Sequence, residues 1–300
     1  MKVRRGGGIS RNIEDRRAQG ATGGSMGKGL QMGGGAGILA IIALVVSLCA
    51  TQGGGGGSGF DLTQVFNQLP QAQVAPGSKE LPPASPQEDQ MVEFVSFVLD
   101  DIQAVWAEQF RAAGQTYQDA TLVLFRGSTS TACGLGSAQM GPFYCPLDQK
   151  VYLDLNFFEE LATKFGAPGD FASAYVIAHE LGHHVQKLTG INDEVRTLQE
   201  QNPNQANDLS IRQELQADCF AGVWATSTYE RGILDEGDVD EGLRAASSVG
   251  DDYIQKELGS GRVNPDTWTH GSSEQRVKWF KTGFESGEPD ACDTFSIKNP

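Results

Sequence analysis

Four histidines occur in 300 residues, and three of them stand in Ala174-Tyr-Val-Ile-Ala-His-Glu-Leu-Gly-His-His-Val-Gln-Lys-Leu188. On a helix, His179 and His183 leave one face a turn apart, so both imidazoles can grip one ion, while Glu180 projects about 100° round the axis beside it. Zinc accepts neutral imidazoles, and a hydrolytic zinc site takes three protein ligands and keeps its fourth position for water. A carboxylate placed like Glu180 suits a general base acting on that water. Tyr175, Val176, Ile177 and Leu181 mark the helix as buried, where unpaired histidines would be costly. His184 faces away from the ligand side and reads as structural.

The third ligand decides the subclass. The extension His-Glu-x-x-His-x-x-Gly-x-x-His fails here, because positions 186 and 189 hold Gln186 and Thr189. The better source is Glu214-Leu-Gln-Ala-Asp218, where Glu214 and Asp218 share a helical face. Glu214 is expected as the third ligand, and Asp218 as the acceptor that takes the distal N–H of a ligand histidine and fixes its tautomer. Asp193, Glu194, Glu200 and Asp208 compete from loops or helix ends. Gly182 inside the helix costs about 1 kcal/mol against alanine, which predicts close packing there, with the Glu214 helix as the expected neighbour. Hydrolysis also needs a donor for the developing oxyanion. His270 and Arg276, in Trp268-Thr-His-Gly-Ser-Ser-Glu-Gln-Arg276, are the candidates.

The elements that must position these groups lie beyond residue 85. Ser85-Pro-Gln-Glu88 reads as a capping box opening a long amphipathic helix to about Ala113, with Met91, Phe94, Val95, Val98, Leu99 and Ile102 at helical spacing. Thr121–Phe125 and Lys150–Leu155 are strand candidates. The Gly141-Pro-Phe-Tyr-Cys-Pro146 stretch between them carries two prolines that argue against regular pairing and point to a fixed, edge-like approach. Asp170 is expected to cap the histidine helix and Gly190 to end it in a left-handed turn. Asn192–Asn207 reads as a polar looping excursion, after which a helix carries Glu214. One or two helices follow over Val239–Ile254, and Ser272-Ser-Glu-Gln275 opens a last one.

The first eighty or so residues differ in kind. Residues 1–31 hold seven basic side chains against Glu14 and Asp15 and are expected to be a disordered arm. Residues 33–52 include the uncharged run Gly37–Ala50, read as one transmembrane anchor, and residues 53–84 form a Gly/Pro-rich linker. Basic residues on the N-terminal side alone predict a cytoplasmic arm and an extracytoplasmic domain over residues 85–300, at the cell membrane. Everything beyond the basic arm carries 16 Lys and Arg against 36 Asp and Glu, a field that excludes nucleic acid as a partner. Among the four cysteines beyond Cys49, Cys133 and Cys145 bracket a Gly-rich loop, leaving Cys219 and Cys292 as the second pair of three possible connectivities. Disulfides fit an oxidising compartment.

Together, His179-Glu-Leu-Gly-His-His-Val-Gln186, Glu214-Leu-Gln-Ala-Asp-Cys-Phe-Ala-Gly222, Gly141-Pro-Phe-Tyr-Cys-Pro-Leu-Asp148, Gly250-Asp-Asp252 and Thr269–Arg276 resemble the bacterial putative neutral zinc metallopeptidase family. The likeness extends over nearly the whole chain. More distantly, the chain is similar to membrane-linked gluzincin peptidases, a resemblance that implies ligation of zinc by His179, His183 and Glu214, with Glu180 catalytic.

The expectation is therefore an α+β, zincin-like metallopeptidase domain, mainly helical with a small sheet and preceded by one transmembrane helix. It would bind one Zn2+ per chain and cleave a peptide or protein substrate lying along the Val151–Leu155 region or the loop before it. A zinc-stabilised scaffold without activity is the alternative, and an intact Glu180 argues against it, because a purely structural zinc has no use for a base. A zinc hydrolase of a non-peptide substrate stays open, and the oligomeric state is not set by the sequence.

Overall fold

A computed structural model describes residues 1–3, 8–18 and 85–300 of the chain; the expected anchor at 33–52, the linker at 53–84 and Cys49 lie outside the described residues. The fold is mixed α/β, mostly helical with small sheets. Its main sheet has the strand order β1 (Ile13–Asp15), β2 (Thr121–Phe125), β6 (Lys150–Asp154) and β5 (Phe143–Cys145). The first two pairings are parallel and the last is antiparallel. A separate hairpin joins β3 (Ser128–Thr131) to β4 (Gly134–Ser137).

Alternation along the two central strands divides the sheet into faces. Leu122, Leu124, Val151 and Leu153 join the main core against the helices, while Val123, Phe125, Tyr152 and Cys145 form a small second cluster on the other face. Phe143 stacks on Tyr152 in that second cluster. Both expected strands are present, and β6 lies inside the sheet rather than at its edge. The edge role falls to β5, in the stretch whose prolines argued against pairing. Pro142 and Pro146 flank its three paired residues, so neither removes an N–H that the ladder uses.

Helix α1 (Pro86–Ala112) starts at the expected capping box: the Ser85 side chain accepts from the Glu88 backbone and Glu88 answers on the Ser85 N–H. Short α2 (Asn156–Thr163) leads through Gly166 and Gly169 to α3 (Asp170–Leu188). Helix α3 is buried on almost every side, among α1, α5 (Ala206–Glu230), α6 (Asp238–Ser248) and the sheet. Asp170 is not its cap. The N-cap is Gly169 at φ +133°, and Glu241 accepts from the Phe171 N–H, supplying the anionic partner that the helix start favours. Gly190 takes the left-handed conformation at φ +85° after the helix, as expected.

The polar stretch after Gly190 is helical rather than looping. Helix α4 (Ile191–Gln201) buries Val195 and packs on α5, so one apolar face suffices to order an otherwise polar segment. Last comes α7 (Ser273–Ser286), opened by the Ser272/Gln275 capping box. It meets α5 backbone to backbone: a Cβ on Gly283 would lie 1.9 Å from the Cys219 carbonyl oxygen, and one on Gly222 2.1 Å from that of Phe280. Disulfides join Cys133 to Cys145 and Cys219 to Cys292, the second tying α5 to the C-terminal segment.

Residues 8–18 depart from the expectation of disorder. They carry β1, and Ser10 and Arg17 are buried. Composition suggested a solvated arm, but its polar groups find partners distant in sequence, which composition does not register. Among the described residues, no helix is long and apolar enough to cross a membrane.

Candidate metal centre

The two histidines of α3 face α5 where Gly182 and Ala217 bring the helices into close approach. A Cβ on Gly182 would stand 3.0 Å from both the Cα atom and the carbonyl oxygen of Ala217, so the absent side chain lets the backbones close up. The neighbour is the Glu214 helix, and Glu214 comes with it. Its Oε2 is 3.1 Å from His179 Nε2 and its Oε1 3.4 Å from His183 Nε2. One donor atom from each of the three residues lies within 4.8 Å of the other two.

Each imidazole uses its other nitrogen. His179 Nδ1 is 2.8 Å from Asp218 Oδ1, and His183 Nδ1 is 2.9 Å from Gln186 Oε1. Both Nδ1 atoms thus face acceptors and carry the protons, so each Nε2 is the atom left for a cation. The donor set of two imidazoles and one carboxylate, with both tautomers set from behind, fits zinc.

Gln186 is a residue that the sequence reading passed over, noted only for not being a histidine. It is fully buried, and its amide donates to the Gln213 carbonyl at 2.7 Å and to Gln216 Oε1 at 3.0 Å. Its position three residues after His183 was the available signal, since side chains at that spacing share a helix face. Tyr175, one turn before His179, counts in the sequence only as a mark of burial, yet its hydroxyl donates to Asp218 Oδ1.

Arg276 reaches the centre, where Asp218 engages it. It is 3% exposed and makes a two-pronged contact with Asp218, Nε to Oδ2 at 2.8 Å and Nη2 to Oδ1 at 2.9 Å, while Nη1 donates to the Val249 carbonyl. Its charge stabilises the buried carboxylate behind His179. His270 is half-buried, with Nδ1 3.1 Å from Asp251 Oδ1. Asp251 Oδ2 also accepts the backbone N–H groups of Thr269, His270 and Gly271, at 2.7–3.1 Å, so one carboxylate shapes the whole turn. His184 turns the other way and joins Tyr144 of β5 to the Gln118 carbonyl.

The electrostatics separate the two acidic residues of the centre. Burial pushes the Glu214 carboxyl up, but the cationic His183 and hydrogen bonds from both histidines outweigh it and hold its pKa well below the usual range. Glu180 shifts the opposite way. Burial raises its pKa, opposed by the charges of His179 and His183, and its carboxylate makes no side-chain hydrogen bond or ion pair among the described residues. Burial disfavours a charged His179, yet Asp218 and then Glu214 carry its pKa up to about 10. For His270, burial again works downward, and the Asp251 hydrogen bond and the Glu214 charge raise it.

A family model described as "Putative neutral zinc metallopeptidase" matches residues 1–295. The chain belongs to this family. It is 48% identical over 288 residues to Escherichia coli (strain K12) "Uncharacterized protein YpfJ", covering 95% of this chain and 96% of that protein. It is also 44% identical over 208 residues to Mycobacterium tuberculosis (strain H37Rv) "Uncharacterized protein Rv2575", covering 66% of this chain and 68% of that one. No solved structure matches. Family membership indicates a zinc-dependent hydrolase, in agreement with a donor set built for that ion.

Proposed function

We propose that this member of the family is a zinc endopeptidase, binding one zinc per chain through His179, His183 and Glu214 and using Glu180 as general base. The observation that carries the reading is the division between two buried carboxylates. Glu214 is engaged by both histidines, while Glu180, on the same helix as those histidines, is buried beside them without a hydrogen-bond or ion-pair partner among the described residues. A closed structural site has no use for an unpaired carboxylate at that point.

Zinc held there would act as a Lewis acid toward the scissile carbonyl and lower the pKa of a water to about 7. Glu180 then accepts a proton from the attacking water and returns it to the departing amine, a role for which a pKa raised toward neutrality is favourable. His270, oriented by Asp251, supplies the hydrogen bond to the developing oxyanion. Arg276 and Tyr175 keep Asp218 in place, and through it the imidazole of His179. The substrate is an extended polypeptide paired along the free edge of β5, whose other edge is engaged by β6. Working outside the cytoplasm agrees with the two disulfides, and the apolar run at Gly37–Ala50 keeps the domain at a membrane.

The test compares the full chain with Glu180→Gln for zinc content and for cleavage of a denatured protein mixture. Zinc should be retained, and cleavage should fall by about 10²–10⁴-fold. Cleavage unchanged in Glu180→Gln, or absent from the zinc-loaded parent, would sink the proposal.

A further inference from the structure

Expected from composition to be a free basic arm, residues 8–18 are held by β2 at both ends of β1. The Leu122 N–H donates to the Asn12 carbonyl at 2.8 Å and the Arg16 N–H to the Leu124 carbonyl at 2.7 Å. Between them Ile13, Glu14 and Asp15 pair in register with Leu122, Val123 and Leu124. Side chains on both flanks lock this register to distant parts of the domain. Ser10 donates to Asp100 of α1 at 2.6 Å, Asn12 to Asp119 at 3.1 Å, Lys150 of β6 to Glu14 at 2.7 Å, and Arg16 to Thr129 at 3.0 Å.

Two physical arguments make this strand part of the domain rather than a passing contact. Leu122, Val123 and Leu124 are completely buried, so without β1 their outer backbone edge would be an unpaired strand edge beside the core. The charges also match. Arg11 and Arg17, which a reading by charge assigns to the cytoplasmic face of a membrane, instead meet Asp119 and Asp89 of the acidic domain at 3.5 and 3.7 Å, and Lys150 of β6 answers Glu14, while Arg16 and Arg17 pair with Glu14 and Asp15 inside the segment.

We infer that residues 8–18 are the edge strand of their own zinc-site domain, and that this segment and residues 85–300 therefore occupy the same side of any membrane the chain enters. A single crossing between the strand and the sheet would put the two in different compartments and break the pairing of β1 with β2. With two disulfides marking the domain's side as oxidising, the N-terminal segment shares that side. This replaces the cytoplasmic N-terminus expected from the distribution of charge. It also gives the strand a purpose: β1 closes one edge of the sheet and leaves β5 as the edge open to an extended peptide.

Two measurements on the full chain, both in a Cys49→Ser background, test this independently of any peptidase activity. The first labels Ile9→Cys, at a position 64% exposed, and Ser260→Cys, at an exposed position of the domain, with a membrane-impermeant maleimide in intact and permeabilised cells. Both sites should label under the same condition. If one labels in intact cells and the other only after permeabilisation, the inference is overturned. The second pairs Asn12→Cys with Asp119→Cys, and mild oxidation should give a reductant-sensitive mobility shift within one chain. Absence of a cross-link would remove the strand from the domain, and a bond formed only between two chains would assign the docked strand to a second copy.

Discussion

His179 and His183 leave one helix face a turn apart and converge on one carboxylate, yet they are supported by different chemistry. Behind His179 stands a charged stack, in which Asp218 accepts from the imidazole, from Tyr175 and from both prongs of Arg276. Behind His183 stands a neutral amide, Gln186, itself held by Gln213 and Gln216. Both arrangements fix the same tautomer. They differ in what a lost partner leaves behind: a stranded guanidinium on one side and a stranded amide on the other.

The largest expected effect follows from removing the charged support. Asp218→Ala frees Nδ1 of His179 and leaves Arg276 buried without its counter-ion, so stability should fall by about 3–5 kcal/mol in urea unfolding of the metal-free protein. Zinc affinity, measured by chelator competition, should fall by about 10–100-fold. Gln186→Ala should weaken zinc by a similar factor of about 10–100 while costing only about 1–3 kcal/mol of stability, because the groups left unpaired are neutral. Equal stability losses in the two variants would break the comparison.

A third experiment sharpens it without unfolding anything. With Asp218 and Glu214 holding the metal-free His179 imidazolium up to about 10, zinc binding at pH 7 must displace its Nε2 proton, so affinity should rise with pH across the neutral range. Proton release, read by calorimetry in buffers of different ionisation enthalpy, should be smaller in Asp218→Asn than in the parent. Release that does not change would dissociate the proton from the Asp218 side of the centre.

The smallest effect concerns the pair outside the ligand set. The Asp251 pKa is lowered because the His270 hydrogen bond and charge outweigh its burial; that of His270 is raised. The stabilisation from Asp251 is present above the ordinary carboxylate value of about 4 and is lost as pH falls through its depressed folded value. That from His270 is complete below about 6.5 and is lost as pH rises through its raised folded value. The difference in melting temperature between metal-free parent and Asp251→Asn should therefore be greatest between about pH 4 and 6.5 and shrink above it. A difference independent of pH would assign Asp251 to its backbone contacts alone.

What was legible in the sequence was whatever depends on neighbours along the chain. The capping boxes at Ser85 and Ser272 close within four residues, and the left-handed turn at Gly190 needs only the absence of a Cβ. The His179/His183 pair and the Glu214/Asp218 pair each lie one turn apart on a single helix, and the fold brings the two pairs together. The regular ladder at β5, the order in α4 and the docking of β1 escape a reading of the sequence for a shared reason. In each, a short polar or proline-bearing segment is ordered by contacts with residues far away in the chain, and local composition carries no record of those contacts.

Sequence alone thus determined the donor types, their helical spacing and the family, because each is written in residues a few positions apart. Only the tertiary structure decided which acceptor stands behind each histidine, that Arg276 pairs with Asp218, and that residues near the start of the chain complete the sheet. Those outcomes rest on burial and on partners brought together by packing α3, α5 and α7 against one another, where the low dielectric makes every unpaired charge expensive and so dictates the pairing.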